Sequence, residues 1–72
     1  MPSPARTVTR SVAVLRRAGM GERAALETVA AVCGTVRYRM LDDHVTGLTW
    51  ICQIETDARI RLARLDARQA SP

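Results

Sequence analysis

The chain has 72 residues, a formal net charge of +4 and two cysteines. A core of this size typically supplies only about 3–5 kcal/mol, so we expect one small helical domain that gains from docking or self-association. The N-terminus lacks an apolar leader, and no apolar run reaches the roughly 18 residues of a membrane span. These features predict a cytoplasmic protein without a membrane partner, whose cysteines are thiols.

Every basic side chain except His44 is an arginine, and the arginines are grouped. Seven of them precede residue 42 and four follow residue 58. The acids Asp42, Asp43, Glu55 and Asp57 lie between these groups with no arginine among them. The joint absence of Lys, Asn and Phe is typical of GC-rich coding, so the placement of the arginines is more informative than their number. A guanidinium group suits both carboxylate and phosphate partners.

The first periodic segment predicts an amphipathic helix over residues 5–18, preceded by a frayed N-terminus over residues 1–4. Its apolar stripe consists of Val8, Val12 and Leu15. The opposite face carries Arg6, Arg10 and Arg17. Gly19 suits the C-terminal cap because glycine adopts the left-handed conformation without a side-chain penalty. Arg16 and Arg17 suit the negative end of the helix dipole.

The second segment predicts a longer helix over residues 22–41. One arc of about 120° holds its apolar residues. They are Ala25, Leu26, Val29, Val32, Cys33, Val36 and Met40. Glu22 lies in the first turn, where the positive end of the helix dipole stabilises an acid.

Part of this segment, Leu26 to Gly34, looks like the first helix and turn glycine of a helix-turn-helix. Such a motif would break near Gly34 and begin a recognition helix within the next few residues. Val36 and Met40 instead continue the apolar face of the preceding residues. We therefore expect one uninterrupted helix here, and no recognition helix.

The third segment predicts a helix over residues 47–68, followed by a frayed C-terminus over residues 69–72. Its apolar arc consists of Leu48, Ile51, Ile54, Ala58, Leu62 and Leu65. A polar stripe holds Asp57, Arg61, Arg64 and Arg68. Glu55 with Arg59, and Asp57 with Arg61, have the i to i+4 spacing that favours ion pairs on a helix surface. Trp50 and Ile60 lie at or beyond the edge of the apolar arc, where they could contact a partner.

A β-hairpin over residues 35–56 is the alternative to the helical interpretation. With a period of two, Val36, Tyr38 and Met40 would share one face of a strand, and Leu48, Trp50, Cys52 and Ile54 one face of a second strand. An isolated two-stranded hairpin is marginal in water, and the helical period is longer, so helices are favoured. The stretch between them, residues 42–47, is expected to be a turn.

Catalytic chemistry has little support in this sequence. His44 follows Asp42 and Asp43, and a carboxylate can orient an imidazole as a general base. Neighbours in a turn seldom face each other in that way, so a polar turn or helix cap is the better interpretation. Cys33 and Cys52 are expected to be core residues. No phosphate loop or metal-ligand spacing is present, so we expect no enzyme, no catalytic residue, no cofactor and no metal.

These elements predict an all-α, three-helix chain in which the second and third helices form a long antiparallel hairpin. The first helix is too short and its apolar stripe too narrow to cover that hairpin, so oligomerisation would complete the core. We therefore expect a non-enzymatic regulatory or adaptor protein acting through helix-mediated association, as a homodimer or docked on a larger protein. The candidate interface residues are Trp50, Ile60, Leu62 and Leu65.

The alternative function is a basic, helical nucleic-acid-binding protein that contacts phosphates mainly through its first helix. The same arginines could instead bind an acidic protein. The candidate phosphate or acidic-partner contacts are Arg6, Arg10, Arg16, Arg17, Arg61, Arg64 and Arg68. Salt distinguishes the two functions, because phosphate binding weakens steeply with salt whereas apolar association does not.

Overall fold

The computed structural model describes residues 2–40 and 46–70, which form three α-helices and no strand. Helix α1 spans Pro4–Arg17, α2 spans Glu22–Met40 and α3 spans Thr46–Ala70. The all-helical class and the number of helices are confirmed. The β-hairpin alternative is wrong for the described residues, because its two proposed strands lie within α2 and α3. His44 and most of the expected turn lie outside the described residues.

Both ends of α1 are capped by residues of the local sequence. The side chain of Ser3 accepts a hydrogen bond from the Arg6 backbone N–H at 3.1 Å, and Pro4 occupies the first helical position, where it is well tolerated. At the other end Gly19 has a φ of +104°, and the Met20 N–H donates to the Leu15 carbonyl at 3.1 Å. This is the Schellman arrangement, and it confirms Gly19 as the capping residue.

Replacing Gly19 with alanine is expected to lower the free energy of unfolding by about 1–2 kcal/mol, because an L side chain is strained at positive φ. Gly21 provides a matched control. An added Cβ meets nothing within 4 Å at either glycine, and within the described residues only Gly19 has a positive φ. Gly21→Ala should lower the urea midpoint less, because Gly21 precedes α2 as its N-cap and has no strained backbone conformation. Equal shifts for the two variants would contradict the capping role.

The core lies where the three helices meet and is built mostly from α2. Val8 of α1 and Leu26 of α2 are the largest side chains that are fully buried. The other buried apolar residues are Ala25, Val29, Ala30, Cys33, Ile54 and Ala58. The expected apolar arc of α2 is wrong at one position, because Val32 is 54% exposed. Ala30, outside that arc, is buried instead, so the buried face of α2 is turned towards Ala30.

Ion pairs and a hydrogen bond join α2 to α3 near both ends of α2. Arg23, near the start of α2, pairs with Asp66 and donates to the Gln69 side-chain oxygen at 2.7 Å, near the end of α3. Near the end of α2, Arg37 Nη1 lies 3.2 Å from Glu55 Oε1 in the first half of α3. The first turn of α2 is therefore beside the last turns of α3. None of the three helices, over the described residues, is long and apolar enough to cross a membrane.

Helix α1 is attached to α3 at two levels. The Trp50 indole N–H donates to the Pro2 carbonyl at 2.9 Å. About three turns further along α3, Arg61 donates to the Thr9 hydroxyl at 3.0 Å and to the Ala5 carbonyl at 2.9 Å. The N-terminal end of α1 is thus anchored along α3, which leaves the other side of α1 facing α2.

Candidate protein-binding groove

An open apolar groove of about 450 Å³ lies between α1 and α2, with α3 beneath it. We call it the α1–α2 groove. Its lining residues are Thr7, Ser11, Val14, Leu15, Thr28, Val29, Val32, Cys33, Trp50, Ile51 and Ile54. The set contains no charged side chain, and its polar members are hydroxyl-bearing residues on α1 and α2.

The floor of the groove is part of the core itself. Val29, Cys33 and Ile54 belong to the buried cluster and also line the groove. On the two rims, Val14 of α1 is 61% exposed and Val32 of α2 is 54% exposed. The rims of the groove therefore expose apolar side chains, whereas its floor is nearly fully buried.

The cause is the length and narrow apolar stripe of α1. It has 14 residues, against 19 in α2 and 25 in α3, and only Val8 of its side chains is buried. Val12 and Leu15 are only partly buried against the core. Five large apolar side chains are exposed within the described residues, and two of them, Val14 and Val32, border the α1–α2 groove. The other three are Met20, Tyr38 and Ile60.

The four candidate interface residues are not brought together. Trp50 lines the α1–α2 groove but is half-buried, and its indole N–H is bonded to Pro2. Ile60 is 46% exposed and lines a separate groove between the start of α1 and α3. Leu62 packs against the core, and Leu65 is half-buried. Whether these four contact a partner stays a prediction.

Sequence reasoning missed the two rim valines as a pair. Val14 lies outside the apolar stripe of α1. An apolar residue in that position was the one sequence feature that could have indicated a binding surface there. Val32 was assigned to the core because it falls within the arc of α2. Only the position of α1 over α2 shows that both valines border one groove.

The arginines divide into two groups. Four of the eleven form ion pairs within the described residues: Arg23 with Asp66, Arg37 and Arg59 with Glu55, and Arg61 with Asp57. The other seven form none there. They are Arg6, Arg10, Arg16, Arg17, Arg39, Arg64 and Arg68, and all seven are exposed. Most of the positive charge is therefore at the surface and available to a partner.

Arg61 differs from the other candidate contacts because its guanidinium group is used within the protein. Its Nε lies 2.8 Å from Asp57 Oδ2, while its two terminal nitrogens donate to Thr9 and Ala5. It also lines a groove of about 570 Å³ with Arg64, Arg68, Ala67 and Glu22. In this structure Arg61 joins α1 to α3, whereas Arg64 and Arg68 remain exposed.

Glu55 is the one buried charged residue within the described part of the chain, at 5% exposure. The expected i to i+4 pair is present, since Arg59 Nε donates to Glu55 Oε2 at 2.9 Å. Arg37 of α2 adds a second positive group to this carboxylate. A buried carboxylate is stable only when it is paired, so Glu55 joins α2 to α3 rather than forming a surface pair.

The two cysteines differ in exposure, since Cys33 is buried and Cys52 is half-buried. Cys33 is buried, and burial raises the pKa of its thiol; the Glu55 carboxylate and Cys52 raise that pKa further. A raised pKa keeps the thiol protonated at neutral pH, and a thiol is a poor nucleophile compared with a thiolate. Cys33 therefore contributes to the floor of the α1–α2 groove as an apolar side chain.

No protein-family model, curated protein or solved structure matches this chain. The chemistry of its own surfaces is therefore the evidence for what it binds. Two features stand out among the described residues, the apolar α1–α2 groove and the seven exposed arginines without an ion pair.

Proposed function

We propose that this chain is a non-enzymatic regulatory or adaptor protein that acts through helix-mediated association, and that the α1–α2 groove receives an amphipathic helix of a partner protein. The observation that carries the proposal is the apolar groove with exposed valines on both rims. Val14 and Val32 are exposed on the rims, directly above buried core residues. An apolar groove of this shape is a candidate site for the apolar face of an amphipathic helix.

A helix is the ligand whose shape fits this groove. Helix α1 has 14 residues, which gives a rim of about 21 Å at 1.5 Å per residue. A partner helix of about four turns would present apolar side chains three and four residues apart along that length. Thr7, Ser11 and Thr28 provide polar margins outside the apolar floor. Such a helix would complete the core as a third neighbour of α1 and α2.

The wall of the groove opposite α1 needs to be rigid, and α2 packed on α3 would provide such a wall. We interpret these two helices as an antiparallel hairpin, since ion pairs join Arg23 to Asp66 and Arg37 to Glu55. Pairs at both ends of α2 oppose sliding of one helix along the other. A preorganised surface loses less conformational entropy on binding, which favours affinity.

Replacing Val32 with glutamate is expected to weaken binding of a leucine-bearing amphipathic peptide about 30-fold or more. A charge on the rim of the groove removes an apolar contact with the peptide and is desolvated in the complex. Val32 is 54% exposed, so the free protein should keep its fold and its helical circular dichroism. The affinity would be measured by fluorescence anisotropy with a labelled peptide of about four turns.

Ile60→Glu is the matched control for that experiment. Ile60 is 46% exposed and lines the other groove, so the same added charge should leave peptide affinity unchanged. Loss of binding in Ile60→Glu but not in Val32→Glu would move the interface to the start of α1 and α3. Equal affinity for both variants and the parent chain would refute the proposed groove.

A second candidate function, nucleic-acid binding, is favoured by one specific observation. All four arginines of α1 are exposed and form no ion pair within the described residues. For this candidate, affinity for a generic duplex should fall linearly with salt on a log–log plot. Replacing Arg10 and Arg17 together with glutamate should then abolish binding at low salt. Unchanged duplex affinity in that double variant would remove this candidate.

A further inference from the structure

The margin of the α1–α2 groove on α1 is positively charged. Arg10 precedes the rim residue Val14 by four positions and Arg17 follows it by three, so both lie on the same side of α1 as Val14. Both are exposed, and neither forms an ion pair within the described residues. Helix α1 contains no acidic residue at all. Any helix that lies in the groove meets this charge along one edge.

The margin on α2 has the same sign. Arg39 follows the rim residue Val32 by seven positions, which returns it to the same side of α2 two turns later. Glu27 lies about 140° away from Val32 around the helix at 100° per residue. Glu22 lines the groove beside Arg64 and Arg68 instead. No acid of α2 therefore offsets the charge at this margin.

The acids of α3 do not offset it either. Glu55, Asp57 and Asp66 are each within ion-pair distance of an arginine. Of these, Asp66 pairs with Arg23 at the far end of α2 from Arg39. The described surroundings of the groove thus combine an apolar floor with arginines along its α1 margin and with Arg39 about 10 Å beyond Val32 on α2.

Resting on the proposed function, we propose that the partner helix is acidic, with glutamate or aspartate residues on both sides of its apolar stripe. Exposed guanidinium groups on the two margins form charge-assisted hydrogen bonds with such carboxylates. Complementary charge of this kind selects the partner and speeds its association more than it adds affinity.

A second copy of this chain fits the groove less well. A two-fold dimer places the same patch of each subunit against the other, so Arg10, Arg17 and Arg39 of both copies would approach one another. Like charges across an interface oppose association. The charge around the groove therefore favours a different protein over the homodimer expected from the sequence.

The test uses two synthetic peptides of about four helical turns with the same leucine stripe. One carries glutamates on both sides of the stripe, and the other carries lysines at the same positions. We expect the glutamate peptide to bind at least about tenfold more tightly at low salt, since each exposed ion pair changes affinity by about 1.4- to 5-fold and several change together. The full-length chain and fluorescence anisotropy suffice for the measurement.

Reversing the charge on α1 tests whether its arginines cause the preference for the glutamate peptide. The double variant Arg10→Glu with Arg17→Glu is expected to lose the preference for the glutamate peptide or to prefer the lysine peptide. The matched control is Arg64→Glu with Arg68→Glu, which changes the net charge equally but alters the groove lined by Glu22. That control should keep the preference of the parent chain. A preference that both double variants change equally would reflect net charge alone and would overturn the inference.

The remaining outcomes separate this inference from the proposed function. Equal affinity for both peptides, with both lost in Val32→Glu, would leave the groove as a helix-binding site and overturn the acidic partner. Failure of both peptides to bind, or binding insensitive to Val32→Glu, would refute both proposals. A sedimenting dimer that Val32→Glu dissociates would identify a second copy as the occupant, and would overturn the acidic partner while keeping helix-mediated association.

Discussion

Replacing Leu26 with alanine is expected to leave most of the chain unfolded at 25 °C. Leu26 is 2% exposed and belongs to the central cluster with Val8 and Ala58. Truncating a buried leucine costs about 2–5 kcal/mol, from lost transfer free energy and from the cavity that remains. The whole core of a chain this small supplies only about 3–5 kcal/mol. Far-UV circular dichroism and urea titration would measure the loss directly.

Ile60→Ala is the control for Leu26→Ala, because it also truncates a large aliphatic side chain of a helix. Ile60 is 46% exposed, and a substitution at such a site usually changes stability by no more than about 0.5 kcal/mol. A cooperative transition in Leu26→Ala with the same urea midpoint as Ile60→Ala would contradict the central place of Leu26 in the core.

The helices themselves were predictable because their signals are local. The predicted ranges of 5–18, 22–41 and 47–68 differ from Pro4–Arg17, Glu22–Met40 and Thr46–Ala70 by at most two residues at any described end. Helix α1 ends before Gly19, which adopts a positive φ and caps the helix. In α2 the apolar period continues through Gly34, so the helix does not break there. The expectation of one uninterrupted helix through Gly34 is thereby confirmed, since α2 continues to Met40.

The faces of the helices were less predictable, because burial depends on where the neighbours lie. A periodic arc identifies an apolar side but not its centre, so Val32 was assigned to the core and Ala30 was not. Alanine adds to the uncertainty, since it is equally common on buried and exposed helix faces. Glu55 was expected at the surface with Arg59, and its burial depends on Arg37, which is distant in sequence.

The residues of the candidate site could not be identified from the sequence for a similar reason, because they depend on how the three helices pack. Trp50 and Ile60 were singled out because both lie at or beyond the apolar edge of the same helix. They line different grooves, because α1 lies along α3 and separates the two sides. Arg61 was grouped with Arg64 and Arg68 by spacing, yet its hydrogen bonds to α1 distinguish it from both.

Replacing Ala58 with leucine is expected to lower the free energy of unfolding by about 1–3 kcal/mol, because overpacking forces neighbouring side chains and backbone apart. Ala58 is 0% exposed, and the cluster around it includes side chains from all three helices. Ala63→Leu is the matched control on the same helix, since Ala63 is exposed and leucine is nearly as good a helix former as alanine. Urea titration of the two variants should give clearly different midpoints.

The size of the Ala58→Leu effect also tests whether the α1–α2 groove is preformed. The added carbons enter a cluster whose members Val29, Cys33 and Ile54 form the groove floor. If those side chains could shift into the groove at little cost, the groove would absorb the leucine and stability would fall by well under 1 kcal/mol. We expect the full cost instead, because the hydrogen bonds from Arg61 and Trp50 hold α1 in place. Unchanged stability with lost peptide binding would show a deformable groove, filled by the protein's own core.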